Sequence, residues 1–172
     1  MEEIEYTYLA RRIPESLGQC ARKEIIDAYI LSDRTPLSLR IRKSGEKREI
    51  TKKEPLDENN ISEQIEQTIS LTPLEYNSLM QSQTNIVRKI RYFYPYKELQ
   101  LEVDVFQDAL LGLVVIEAEF ESRTSRDAFV MPDFCLAEIT NEHFIAGGAL
   151  AGTSYADIEP ELARFNYHPL SL

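Results

Sequence analysis

Leu101-Glu102-Val103-Asp104-Val105-Phe106 and, a short loop later, Val115-Ile116-Glu117-Ala118-Glu119-Phe120-Glu121 alternate apolar and acidic residues. Successive side chains on a strand point to opposite faces, so a period of two reads as β-strand with one apolar and one acidic side. Working outward, weaker alternation runs over Glu3–Leu9, Ile25–Leu31, Leu37–Lys43, Lys47–Lys53, Gln64–Leu71 and Ile86–Tyr94. That makes about eight strands. Turn-like sequence separates them at Asp33–Pro36, Pro55–Asn60 and Pro95-Tyr96, and Ser44-Gly45 reads as a tight hairpin. Thr72-Pro73-Leu74-Glu75 carries the N-cap, the first-turn proline and the acid of a helix start, which predicts a helix to about Gln83. Shorter helices are expected within Ser122–Val130, stopped by Pro132, and within Ser154–Phe165, where Pro160 belongs near the helix start. The fold class expected is mainly antiparallel β with a few packing helices.

At 172 residues with 43% apolar and 28% charged composition, the chain is the size of one domain with a real core. The expected organisation is a single domain over 1–172, with a core at 1–152 and a helical tail at 153–172. No apolar run approaches a membrane span, the N-terminus MEEIEYTYLARR is acidic, and Cys20 and Cys135 are the only cysteines. A cytoplasmic protein is the expectation. Nineteen Lys and Arg against 29 Asp and Glu give a net charge of −10, which repels nucleic-acid polymers and anionic membranes. It leaves room for a small polyanion in a locally basic pocket with a metal ion.

Placing the charges on the strands sharpens this. Glu3, Glu5 and Thr7 share a face opposite Ile4, Tyr6 and Tyr8. Glu117 and Glu119 share one opposite Ile116, Ala118 and Phe120, and Glu102 and Asp104 oppose Leu101, Val103 and Val105. Elsewhere the polar face is basic: Arg40 with Arg42, Lys53 behind Thr51, and Lys89 with Arg91. An ordinary sheet with one wet face accounts for alternation alone. Segregation by sign is different, because like charges side by side destabilise strand pairs unless a counter-ion sits between them. If these faces line a closed barrel, carboxylates on one side and cations on the other suit a hard metal ion bridging a phosphate chain. The competing reading of Arg40 and Arg42 is an internal ion-pair network with Glu102 or Asp104.

These residues resemble the CYTH superfamily of triphosphate tunnel metalloenzymes. Glu3-Ile4-Glu5-Tyr6-Thr7 is similar to its opening E-x-E-x-K strand, Leu39–Arg42 to its arginine strand, Ile50–Lys53 to its Thr-x-Lys strand and Lys89-Ile90-Arg91 to its K-x-R strand. Leu101–Phe106 and Leu110–Phe120 are similar to its late acidic strands, and the likeness spans roughly residues 1–152. The resemblance implies an eight-stranded antiparallel tunnel with a charged lumen, helices packed outside, and hydrolysis of inorganic, nucleoside or thiamine triphosphate. It implies that Glu3, Glu5, Glu117 and Glu119 hold Mg²⁺ or Mn²⁺. It further implies that Arg40, Arg42, Lys53, Lys89 and Arg91 grip the phosphates. Glu5, Glu66 and Asp104, with Glu102, are then the acids that place water or steady the cations. A homodimer is a further implied possibility.

The sequence also departs from that pattern. Thr7 stands in place of the lysine, Gln64 in place of a common acid and Ser62 in place of a common arginine. The segment Glu138–Ala151 keeps the family's apolar frame without a phosphate-binding side chain, His143 being its nearest candidate. A catalytically impaired module that binds triphosphate or polyphosphate is therefore the alternative function. An adenylate-cyclase-like activity comes third, since no side chain is assignable to base or ribose. The chain has no Trp to stack a thiazole, though 9 Tyr and 7 Phe remain. His143 and His168 make no zinc pattern, and the two cysteines make no nucleophile dyad. Gly147-Gly148 is no phosphate loop and reads instead as close packing or a turn. Asp27 and Tyr29 either line the lumen mouth or cap an edge, and Phe165, Tyr167 and Leu170 are apolar groups able to close the barrel from within the chain.

Overall fold

A computed structural model describes residues 2–32, 35–57 and 60–172. The strands are β1 (Glu2–Ala10), β2 (Arg22–Ser32), β3 (Thr35–Ser44), β4 (Lys47–Asp57), β5 (Asn60–Ser70), β6 (Ile86–Tyr96), β7 (Leu99–Phe106), β8 (Val114–Phe120) and β9 (Cys135–Glu138). The helices are α1 (Pro73–Met80), α2 (Arg123–Asp127), α3 (Gly147–Leu150) and α4 (Tyr155–Ala163). All strand pairs are antiparallel, in the order β5-β4-β3-β2-β6-β7-β8-β1, and a β5–β1 pairing closes the ring into an eight-stranded barrel. Closure depends on how β1 divides its edges. Ile4 pairs with both Phe120 of β8 and Glu63 of β5, whereas Leu9 pairs with both Val115 of β8 and Ala137 of β9. A strand has two edges, so β5 and β9 share the one that β8 leaves.

The expected hairpin is present, with Gly45 in the left-handed region at φ 58° between Ser44 and Lys47. Two turn expectations need correction. Pro95 and Tyr96 continue β6, opposite Gln100 and Leu99, and the chain reverses at Lys97, φ 53°. Pro55 lies within β4 opposite Gln64, beside a register shift that removes the need for its missing N–H. Of the turns at Asp33–Pro36 and Pro55–Asn60, positions 33–34 and 58–59 lie outside the described residues.

Helix α1 starts as its sequence requires: the Thr72 hydroxyl accepts from the Glu75 N–H at 3.3 Å, and the Glu75 carboxylate accepts from the Thr72 N–H at 2.7 Å. It stops at Met80, short of Gln83, because Gln83 itself caps the end. The Gln83 backbone N–H donates to the Met80 carbonyl and its side chain to that of Leu79. Pro160 sits inside α4, not at its start. The Ser154–Asp157 capping box begins the helix earlier, and burial of Ile158 and Leu162 offsets the one backbone bond that Pro160 forfeits.

Apolar faces pack outside the barrel. Tyr8, Tyr92, Leu101, Val103, Ile116 and Phe120 form one outer cluster, covered by Leu17 and Phe134. A second, around Ala28 and Ile41, lies under Tyr76 of α1. The inner faces are not uniform. On β1 the face that carries Glu3 and Glu5 ends in Leu9, and on β2 the face that carries Asp27 ends in Tyr29. On β6 Lys89 and Arg91 are preceded by Val87, on β7 Asp104 is followed by Phe106, and on β8 Glu117 is preceded by Val115. These five apolar residues cluster with Leu150 of α3 and with Ile158, Leu162 and Tyr167. The C-terminal segment thus plugs one end of the barrel. Tyr167 fixes it, its hydroxyl accepting from the Val114 N–H and donating to the Gly112 carbonyl, both at 2.8 Å. Gly147 packs so closely on Tyr29 that a Cβ there would stand 1.8 Å from the phenol oxygen, so close packing is its role. Among the described residues no helix is long and apolar enough to cross a membrane.

Candidate active site

Beyond the plug, Glu3, Arg40, Arg42, Lys53, Glu66, Lys89, Arg91, Glu117 and Glu119 line a cavity of about 130 Å³. They come from β1, β3, β4, β5, β6 and β8, strands spread around the ring. Strand register brings them together: Lys53 pairs with Glu66, Arg91 with Asp104, Glu102 with Glu117, and Glu5 with Glu119. A larger depression of about 670 Å³ lies on the outer face by Tyr92, Val105 and Leu111 and gathers no comparable set of charges.

The cations are held by carboxylates. Arg91 donates from Nε to Asp104 Oδ1 at 2.7 Å and from Nη2 to Asp104 Oδ2 and Glu117 Oε2, each at 2.6 Å. It also pairs with Glu102, and Lys89 pairs with the same Asp104. Asp104 is 0% exposed; burial opposes its ionisation, but Arg91 and Lys89 overcome this and hold its carboxyl well below the usual range. Arg42 forms a two-pronged pair with Asp27, 2.7 Å on both sides. Asp27 is 2% exposed, between β3 and β6, so it neither lines a mouth nor caps an edge. Burial works against its charge as well, and Arg42 lowers it nonetheless. The ion pair expected of Arg42 therefore exists, with Asp27 as partner in place of Glu102 or Asp104. Lys53 pairs with Glu3 and lies 3.6 Å from Glu66, which is also 3.6 Å from Arg40. Glu66 stays ionised below its ordinary range, since Lys53 and a 3.0 Å hydrogen bond from Thr68 outweigh its burial. Arg40 differs from the other cations: its Nε is buried with no hydrogen-bond partner among the described residues.

The carboxylates of β1 and β8 are less balanced. Glu5 is 8% exposed and accepts from Gln64 Nε2 at 3.0 Å. Burial, then Glu117, Glu3 and Glu119, push its carboxyl up to about 7 against the pull of Lys53. Glu119 is exposed and raised by its partial burial and by Glu3 and Glu117. Glu117 is lowered, Arg91 and Lys89 prevailing over burial. Among the described residues no three carboxylate, His or Cys side chains stand together as a metal-binding group. The donor chemistry of Glu3, Glu5, Glu117 and Glu119 nevertheless fits a hard divalent cation: all four offer carboxylate oxygen, and Glu117, Glu3 and Glu119 each disfavour ionisation of Glu5, a repulsion that a cation would relieve. Two of the four, Glu3 and Glu117, are given to Lys53 and Arg91.

Thr7 lies on the face of Glu3 and Glu5, opposite Glu117, and its backbone N–H donates to Thr140 Oγ1 at 3.0 Å. Ser62 accepts from Arg126 Nη1 of α2 at 3.1 Å. His143 is exposed outside the cavity. Cys135 is buried with its thiol pushed up to about 12 by burial and by Asp133, and both cysteines are free. The sequence reading did not assign Asp27 or Gln64 to the site. Gln64 shares a strand face with Glu66, whereas β2 carries no assigned residue to mark the face of Asp27, and the partners of both follow only from register.

No family model matches the chain. It is 29% identical over 153 residues to an inorganic triphosphatase of Nitrosomonas europaea, covering 88% of this chain and 97% of that protein. Its fold is similar to the crystal structure of an inorganic triphosphatase, with TM-score 0.64 and 24% identity over 87% of this chain and 93% of that one. It is also similar to an adenylyl cyclase candidate from Hippeastrum described as having a dominant triphosphatase activity, with TM-score 0.56 and 14% identity over 96% and 100% of the two chains. These structural likenesses carry the fold.

Proposed function

We propose that this chain is a divergent CYTH-type tunnel protein that hydrolyses a linear triphosphate, inorganic or nucleoside, inside the barrel, a reading supported by its likeness to an inorganic triphosphatase. The observation that carries the reading is Arg40 Nε, a buried N–H with no acceptor among the described residues, in a cavity walled by charges. An unmet donor of this kind costs about 1–3 kcal/mol, and phosphoryl oxygens would satisfy it. Arg40, Arg42, Lys53, Lys89 and Arg91 grip the chain. Each phosphoryl oxygen that takes Lys53 or Arg91 frees Glu3 or Glu117. Glu3, Glu5, Glu117 and Glu119 would then hold Mg²⁺ or Mn²⁺, which supplies charge neutralisation and polarisation of the phosphoryl oxygens when bound. Water attacks the terminal phosphorus, the bridging P–O bond breaks, and orthophosphate leaves together with pyrophosphate, or with the nucleoside diphosphate where the substrate is a nucleoside triphosphate. Glu66, kept ionised by Lys53 and Thr68, orients that water and receives its hydrogen bond, and Glu5 shares this task. Asp104 and Asp27 touch no reacting atom and keep Arg91, Lys89 and Arg42 in place.

Arg40→Met tests the gripping role. It deletes an unsatisfied donor, so the ligand-free protein melts no lower, while its affinity for inorganic triphosphate drops at least tenfold by calorimetry. Unchanged affinity refutes the assignment. A second reading, a module that binds triphosphate but barely turns it over, is favoured by Thr7, which leaves no cation opposite Glu117. Thr7→Lys separates the two: a rise in phosphate release identifies the missing ammonium as limiting, and efficient turnover by the wild type removes the second reading.

A further inference from the structure

Lys23 is a cation that the phosphate-gripping set does not include. It lies near the start of β2, with Arg91 as its Cα partner, on the face shared by Ile25 and Asp27. Its neighbour Arg22 points the other way, donating from Nη1 to Tyr92 Oη at 3.1 Å in the outer cluster. Lys23 therefore faces inward at the rim of the barrel, outside the lining of the charged cavity, and it also borders the larger outer depression. The β3–β4 hairpin reaches the same end of β2, where the Gly45 N–H donates to the Glu24 carbonyl at 3.1 Å. Tyr29, toward the other end of β2, belongs to the apolar plug. Lys23 thus stands at the end of the barrel opposite the plug.

Among the described residues no carboxylate pairs with it, Glu102 acting only from a distance. The Lys23 ammonium is 5.0 Å from the centroid of Phe93, which follows Arg91 by two residues on the same inner face. One such step along a strand is about 7 Å, so the ammonium reaches beyond Arg91 toward the mouth. Arg42, Lys53, Lys89 and Arg91 each hold a carboxylate, but among the described residues Lys23 holds none within 4.0 Å. Partial burial, then Arg91, Arg42 and Lys47, depress its pKa against the pull of Glu102. A half-buried ammonium over an aromatic ring, beside other cations and unpaired, is arranged to receive negative charge.

We propose that Lys23, with Phe93 as the wall beneath it, is a specificity-determining subsite at the mouth that takes the phosphoryl group farthest from the plug. It thereby selects a chain of three phosphates over one of two. This rests on the triphosphatase reading and adds to it the basis for chain-length preference.

The test is calorimetry with Mg²⁺ and two non-hydrolysable probes, diimidotriphosphate and imidodiphosphate. Lys23→Met weakens diimidotriphosphate at least tenfold and changes imidodiphosphate less than twofold, Lys23→Arg binds both as the wild type does, and neither variant melts lower. Unchanged diimidotriphosphate affinity in Lys23→Met overturns the subsite, and so does an equal loss for both probes, which is the mark of a general charge effect. A wild type that binds both probes while Lys23→Met changes nothing sinks this inference alone. A wild type that binds neither sinks the triphosphatase reading, and this inference with it.

Discussion

Replacing Arg91 with methionine should cost the ligand-free protein about 3–5 kcal/mol, the usual penalty for removing one partner of a buried ion pair. Three features place this site in that range. Asp104, with no solvent exposure, loses both of its Arg91 hydrogen bonds and, among the described residues, keeps only Lys89. Glu102 and Glu117, Cα partners on neighbouring strands, lose the cation they share. Methionine restores most of the side-chain volume, so cavity formation adds little. Against a total stability of roughly 5–15 kcal/mol for a domain, the loss is large but survivable. The assay is urea unfolding followed by circular dichroism at low salt. The pH dependence gives a second reading of the same pairs. Arg91 holds Asp104 and Glu117 below their ordinary values, so their stabilisation is present at neutral pH and fades as pH falls through those lowered values. The gap between wild type and variant is therefore widest at neutral pH and narrows in acid. A loss below about 1 kcal/mol at pH 7.5, or one that does not shrink in acid, would refute the view that buried ion pairs organise this interior.

Other outcomes follow from the same geometry. Because Glu5 is raised to about 7, the native state holds a proton between the ordinary carboxylate range and pH 7 that the unfolded chain releases. Stability should therefore decline as pH rises through that window, and Glu5→Gln should abolish the decline and exceed the wild type in urea resistance at pH 8. Gly147→Ala drives a methyl into the Tyr29 phenol and should lower stability by about 1–3 kcal/mol, whereas Gly18→Ala, with open space around it, should change it by less than about 0.5 kcal/mol.

Much of this fold could be read directly because alternation is a local property. Glu117 and Glu119 against Ile116 and Ala118 define two faces without knowledge of any neighbour, and the eight barrel strands follow from such runs. The same parity put Arg40, Lys53, Lys89 and Glu3 on one side before any pairing was known. What alternation cannot supply is position along that side. Leu9, Val87 and Phe106 share the inner face with charged residues, yet they belong to a plug completed by Leu150 and Leu162 from far along the chain. Ion-pair partners were hidden for the same reason: Asp27 meets Arg42 through β2–β3 register, which sequence spacing does not encode. Strand β9 is too short to show a period, and its existence depends on the free edge of β1. Pro95 and Pro160 mislead as punctuation because strand pairing and helix burial outweigh the single backbone bond each gives up.

Triphosphate hydrolysis inside the barrel stands or falls on phosphate release from inorganic triphosphate by the purified chain, measured with Mg²⁺, with Mn²⁺ and with chelator. It predicts multiple turnovers with either metal, one orthophosphate and one pyrophosphate per substrate consumed, and silence in chelator. No release under any metal, or release that chelator leaves untouched, would contradict it.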